Sequence, residues 1–304
     1  MKHAIFALLA LMMLLMTACQ PGSDIDFETL DLHEALQSAQ EQDKVIFLFV
    51  YQDPTNPYVK AFTRDIFNDE AVATYFNRHF VNVSLQVDAT LRAGSEGVKP
   101  LAAKGWPDLW QRYGVYQYPT LLLLTPQGDV ITDIIDLGNL GRDENGELPC
   151  RTQLLRVASL AHRFQHQNDS VFFDEKGWAQ LNQVPMRLDS KLFERVASRR
   201  DFLRSRYGHN WDVMIDYTMA AASVRLMIHE KNRPSRCNDF RVKAYYQALE
   251  KYHFPLNERY RLYADVNIAY GKNDLLKARE LAYHAYKHGI IQEMEYFRLS
   301  EQLK

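Results

Sequence analysis

The sequence predicts an α/β domain over residues 26–137 and an all-α domain over residues 151–304, joined by a linker at 138–150. Three observations carry this. The run KVIFLFVY (44–51) is apolar and aromatic after its first residue, as a strand buried on both faces should be. Between it and residue 137, helical spacing alternates with further strand signals and a tight turn. Beyond about residue 150, strand signals nearly vanish and apolar residues recur every three or four positions. GNLGRDENGELPC (138–150), rich in glycine and charge, marks the boundary.

Taken in order, Leu30, Leu32, Ala35 and Leu36 lie at helical spacing and predict a helix ahead of the 44–51 strand. QDPTNPY (52–58), with two prolines and Asn56, is turn chemistry, and it leads into an amphipathic stretch with Phe62, Ile66 and Phe67. Asn68 and Asp69 are placed to cap a second helix, EAVATYFNRHF, which passes into the strand FVNVSLQVD (80–88). After a long polar loop, DLWQRYGVYQYPTLLLLTPQGDVI predicts a helix ending at Gly114, then Pro119, a strand, a turn at Gln127 and Gly128, and a second strand. This is a β-α-β unit followed by a hairpin.

The apolar strand before the turn, FNDEAVATYFNRHFVNVSLQVD and YGVYQYPTLLLLTPQGDVI together resemble the thioredoxin superfamily over roughly 110 residues, nearest its periplasmic disulfide-reductase branches. The resemblance implies a thioredoxin-like α/β fold and places Pro119 where the family carries a cis-proline after Tyr118. It also implies a Cys-x-x-Cys at the start of the helix after the first strand, whose thiolate attacks disulfides. The family's spacing back from Phe67 puts Asn56 and Val59 at the two cysteine positions, with Pro57 and Tyr58 between them. No cysteine lies between Cys19 and Cys150, and asparagine and valine form no mixed disulfide. The resemblance therefore supplies a fold and withdraws the family reaction. What remains is a turn, Asn56 to Val59, facing Tyr118 and Pro119: either a groove for extended polypeptide or a decayed site on a structural module.

Between residues 88 and 113 the sequence carries an insertion longer than the family's usual connection, with Trp106, Pro107 and Trp110. Exposed tryptophan favours interfaces. Packing into the core is the more ordinary use. In the C-terminal half, LLRVASLAHRFQH, SKLFERVASRRDFLRSRY and WDVMIDYTMAAASVRLMIHEK all read as helices. The last segment, with Ala269, Ala278, Ala282 and Ala285, resembles one tetratricopeptide helix pair, and one unit is too few for a stacked array.

The chain opens on Met1 and Lys2, continues through AIFALLALMMLLM, and reaches Thr17, Ala18 and Cys19. A cationic start, a short apolar core and small residues before a cysteine predict a lipoprotein signal peptide over residues 1–18, with lipid on Cys19 and a polar tether over 19–25. An ordinary secretory cut near Ala18 would instead leave Cys19 as a free thiol or a disulfide partner. Gln20 after the cysteine resembles the signal for outer-membrane sorting, which places the protein on the cell envelope facing the periplasm. A formal charge of −2 excludes strong attraction to nucleic acid.

Cys150 and Cys237 are the cysteines left after Cys19, and in an oxidising compartment they form a disulfide, act as a redox pair, or stay separate thiols. His162 with His166, and His284 with His288, stand at a spacing that can chelate metal, but neither pair has an evident third ligand, and solvated cap positions are the reading adopted. The sequence offers no catalytic constellation, no metal set and no cofactor motif. It reads as a non-catalytic binder or scaffold for an envelope protein or peptide, with a thiol oxidoreductase using Cys150 and Cys237 as the alternative and a peptide-holding chaperone as a third.

Overall fold

In a computed structural model the described residues are 24–87, 106, 109–113, 115, 118–134, 149–184, 186–225 and 274–303, with short helical pieces between 246 and 270. Helix α1 (Leu32–Gln42) opens on a reciprocal cap: Asp31 accepts the Glu34 N–H at 2.9 Å while Glu34 accepts the Asp31 N–H at 3.0 Å. Asp43 ends it in the left-handed region at φ 48° and turns the chain into β1 (Val45–Tyr51). Helix α2 (Pro57–Ala61) follows and runs into a π-helical stretch at Phe62–Phe67. Asp69 then caps α3 (Glu70–His79) through the N–H groups of Ala71 and Val72, and the chain enters β2 (Phe80–Gln86) without a loop.

After α4 (Leu109–Tyr113) come β3 (Thr120–Leu124) and β4 (Val130–Ile134), joined by a hairpin turn at Gly128, where φ is +84° and a Cβ would stand 2.9 Å from Leu36. The sheet order is β2-β1-β3-β4. Strand β1 pairs parallel with β2 and antiparallel with β3, as the predicted β-α-β unit and hairpin require. Upstream, Glu28 bridges to Val83 and covers the free edge of β2.

Alternation along β1 explains its continuous apolarity. Val45, Phe47 and Phe49 enter one core with Phe62, Phe67 and Phe76; Ile46, Leu48 and Val50 enter the other with Ala35, Ala39, Trp106 and Tyr113. Trp106 is 0% exposed and donates its indole N–H to the Leu30 carbonyl at 2.9 Å, so it belongs to the core and offers nothing to a partner. Trp110 has no described side chain.

The C-terminal half is helical as predicted: α5 (Pro149–His166), α6 (Asp169–Phe172), α7 (Glu175–Leu181), α8 (Lys191–Ser198), α9 (Arg200–Tyr207), α10 (His209–Arg225), α11 (Leu275–Lys287) and α12 (Glu293–Gln302). Residues 138–148 of the expected linker lie outside the described residues; Pro149 and Cys150 begin α5. Leu154, Val157, Ala158 and Ala161 of α5 share the Phe47 core, as do Leu192, Phe193 and Val196 of α8. The hydrophobic core of the sheet domain therefore continues without a break into the first helices beyond it.

One buried ion pair fixes that junction. The Arg187 guanidinium lies 3.9 Å from Asp133 on β4, donates to the Tyr113 carbonyl at 2.6 Å and pairs with Asp189 at 2.5 Å. Within the helices, Gly177 lets α7 approach the chain at Phe172, where a Cβ would come within 1.9 Å of the Phe172 carbonyl oxygen. A separate apolar cluster joins Ala269, Ala278, Ala282 and Ala285 with Ile291 and Leu299, the small residues expected of a close helix pair.

Candidate functional site

The turn after β1 is built from local polar bonds. The Asp53 carboxylate accepts the Thr55 N–H and hydroxyl, each at 2.7 Å, and the Asn56 N–H donates to the Asp53 carbonyl at 3.1 Å. The Thr55 hydroxyl holds the Asp53 carboxyl below its ordinary pKa. Asn56 then caps α2, its side-chain oxygen accepting the Tyr58 N–H at 2.9 Å, and Pro57 takes the first helical position. Tyr58 is 62% exposed, whereas Val59 is 4% exposed and packs in the Phe49 core.

Strand register brings the second half of the predicted site alongside. Val50 of β1 pairs with Thr120 of β3, so Tyr118 and Pro119 stand beside the end of β1, and the Tyr118–Pro119 peptide is cis as expected. The predicted residues divide into two settings. Asn56, Pro57, Tyr58, Tyr118 and Pro119 are partly or largely exposed around the turn; Val59 is not part of that surface. Its side chain lines a different space, a cleft of ≈ 680 Å³ on the β2 side of β1. Ile25, Phe27, Phe49, Tyr51, Pro54, Thr63 and Phe67 also wall that cleft, with Asp24, Lys60 and Arg64 at its polar parts. The alternating aromatics Phe49 and Tyr51 were the sequence signal for it; the contribution of residues 24–27 carried none.

Chemically, the turn holds a neutral amide at Asn56 and a buried aliphatic at Val59, and it contains no cysteine. The described thiol is Cys150, 0% exposed and free, its pKa pushed up by burial, which is opposite to what a nucleophilic thiol needs. Cys237 and Cys19 lie outside the described residues. No group of three or more His, Cys, Asp or Glu among the described residues is placed to hold a metal ion. His284 and His288 are exposed at the end of α11, in the cap setting read from the sequence. His162 is not in that setting: its ring lies between His79 and His166, and its Nδ1 is buried. Among the described residues no helix is long and apolar enough to cross a membrane.

A parallel β-α-β unit joined to an antiparallel hairpin, with a cis-proline opposite the turn after the central strand, defines a thioredoxin-like domain; here that domain lacks the cysteine pair. Residues 32–136 match the thioredoxin-like domain family, and the N-terminal domain belongs to it. The chain is similar to the solution structure of a proposed disulphide-isomerase from Bacteroides thetaiotaomicron, at 31% identity over 43% of this chain and 92% of that one, with a TM-score of 0.30. It is also similar to a DsbH oxidoreductase, at 16% identity over 38% of this chain and 77% of that one, with a TM-score of 0.30. No curated protein matches the chain.

Proposed function

We propose that the thioredoxin-like domain is a non-catalytic binding module that presents the Asn56–Tyr58 turn and the Tyr118–Pro119 loop to an envelope protein or peptide. The observation that carries this reading is the fate of the two thiol positions. Asn56 is a helix cap and Val59 a buried core residue, while the aromatic between them, Tyr58, stays exposed. A partner would meet a preformed polar turn with one aromatic at its tip, a surface suited to extended backbone and apolar side chains. On the same reading a lipid on Cys19 holds the module at the envelope membrane, outer by its Gln20, facing the periplasm.

The alternative, a thiol oxidoreductase working through Cys150 and Cys237, has the burial of Cys150 against it. A disulfide-exchange assay on the mature protein with Cys19 replaced separates the two. A binder shows no turnover and keeps its partner after Cys150→Ser and Cys237→Ser changes. Turnover that disappears with either change would establish the oxidoreductase instead.

A further inference from the structure

His79 is the last residue of α3, and His162 and His166 lie one turn apart at the end of α5. Ring centroids are 4.5 Å apart for His79 and His162 and 4.4 Å apart for His162 and His166, with planes tilted by 52° and 54°, so three imidazoles from two helices pack against one another with His162 in contact with both others. The middle ring has the least favourable place for charge. Its Nδ1 is buried without a hydrogen-bond partner, and a proton there would add an unpaired N–H to a charge taken from water.

The groups facing the cluster are mixed in sign. From the α1 end, Asp43 reaches the His166 Nδ1 at 3.5 Å and accepts from the Gln165 side chain at 3.4 Å. Lys44, just before β1, donates to the Asn77 carbonyl at 3.4 Å and adds positive charge, as does Arg78 beside His79 on α3. The Tyr75 ring packs 4.8 Å from His79. Helix dipoles at both C-termini favour protonated histidine. Burial and the neighbouring His166 and His79 outweigh them at His162, holding it down to about 4, and burial with Arg78, His166 and Lys44 holds His79 below its ordinary value.

We propose that His79, His162 and His166 form an acid-opened clasp between the sheet domain and the helical half. Neutral rings pack tilted against one another and hold the end of α5 on the end of α3. Protonation places like charges ring against ring, with Asp43 the carboxylate that offsets them, and parts the two helix ends. The apolar contacts of Leu154, Val157 and Ala158 further along α5 stay in place, so opening is local. Attachment of the helical half then responds to the acidity around the protein, whatever the turn after β1 binds.

Hydrogen exchange followed by mass spectrometry on the full chain, at pH 7.5 and pH 5.0 and corrected for intrinsic rates, tests this. Protection in peptides spanning 76–80 and 160–166 is expected to fall by roughly tenfold or more at pH 5.0, one pKa unit's worth, while peptides within β1 and β3 are unchanged. A double variant, His79→Phe with His162→Phe, keeps the rings and removes two titrating groups; it is expected to hold its protection at pH 5.0. Protection in wild type that is unchanged by pH, or that falls equally in the double variant, overturns the proposal. Should that variant not fold, NMR titration of the wild-type imidazoles decides: a depressed, coupled titration of His162 supports the clasp, and a simple one near 6.5 sinks it.

Discussion

Beyond the C-terminal end of β1 stand Asn56 and Val59, neither of which ionises; before its N-terminal end stand Asp43 and Lys44, with His79, His162 and His166 packed beside them. The first end is the one where thioredoxin-like proteins place their reactive thiols. In this chain its polar atoms are committed to shaping backbone, through Asp53 on Thr55 and Asn56 on Tyr58. At the junction with the helices, titratable side chains pack directly against one another, in the histidine cluster and in the Arg187–Asp133 pair. The difference teaches that the turn after β1 is shaped by a cap and a core residue, Asn56 and Val59, and is held by the same bonds that start α2.

The largest test of the comparison breaks the junction. Replacing Arg187 with Met removes the buried guanidinium that lies beside Asp133, pairs with Asp189 and donates to the Tyr113 carbonyl. Loss of one partner of a buried pair is expected to cost about 3–5 kcal/mol, read by urea denaturation. Joint replacement of Asp133 and Arg187 by apolar residues should recover only part of this, since Asp189 still loses the guanidinium it meets at 2.5 Å.

Acid titration of stability comes next. His162 has a folded-state pKa of about 4 against an ordinary value of 6.5, so between those values the unfolded chain binds more protons. The contribution of this group is therefore a stability that is full above 6.5, declines as pH falls through the window, and is spent by about 4. Denaturation midpoints for wild type and His162→Phe should diverge across this range, the variant falling less. Parallel curves would remove the histidine cluster from the account.

At the other end of β1 the effects are smaller. Asn56→Ala removes the cap of α2 and is expected to cost about 1 kcal/mol, whereas Asn56→Asp, which can still cap, should cost less. Tyr58→Ala, at a 62% exposed position, should change stability by less than about 0.5 kcal/mol while weakening partner binding. A stability loss at Tyr58 larger than at Asn56 would invert the picture of a surface aromatic on a structural turn.

How much of this could be read from sequence depends on the range of each interaction. Residues 44–51 announce a doubly buried strand because every position after Lys44 is apolar, and the β-α-β unit and hairpin follow from the turn residues between apolar runs. The loss of the thiols is legible as an absence, and Pro57 after Asn56 already signals a helix start. Other features have no local signature. The π-helical stretch at Phe62–Phe67 looks like ordinary helix in its spacing. Arg187 and Asp133 come from distant segments and become partners only when α8 packs on β4. The i, i+4 spacing of His162 and His166 was visible, but His79, which turns a helix-end pair into a three-ring cluster, arrives from another helix through the fold. Trp106 could serve as core or surface by its type alone; its hydrogen bond to Leu30 decides for the core.

The segment ahead of α1 gives the molecule a mechanical property. The Ile25 N–H bonds the Phe67 carbonyl at 3.0 Å, the Asp26 N–H bonds the Asn77 side chain at 2.9 Å, and the Glu28 N–H bonds the Asn82 carbonyl at 2.8 Å. A pull on the chain upstream of Asp24 thus enters through the π-helical stretch, α3 and β2 together, and reaches α1 only after those bonds give way. Load is shared among three elements already tied into the core, so the domain can hang from its N-terminus without unravelling from its first helix.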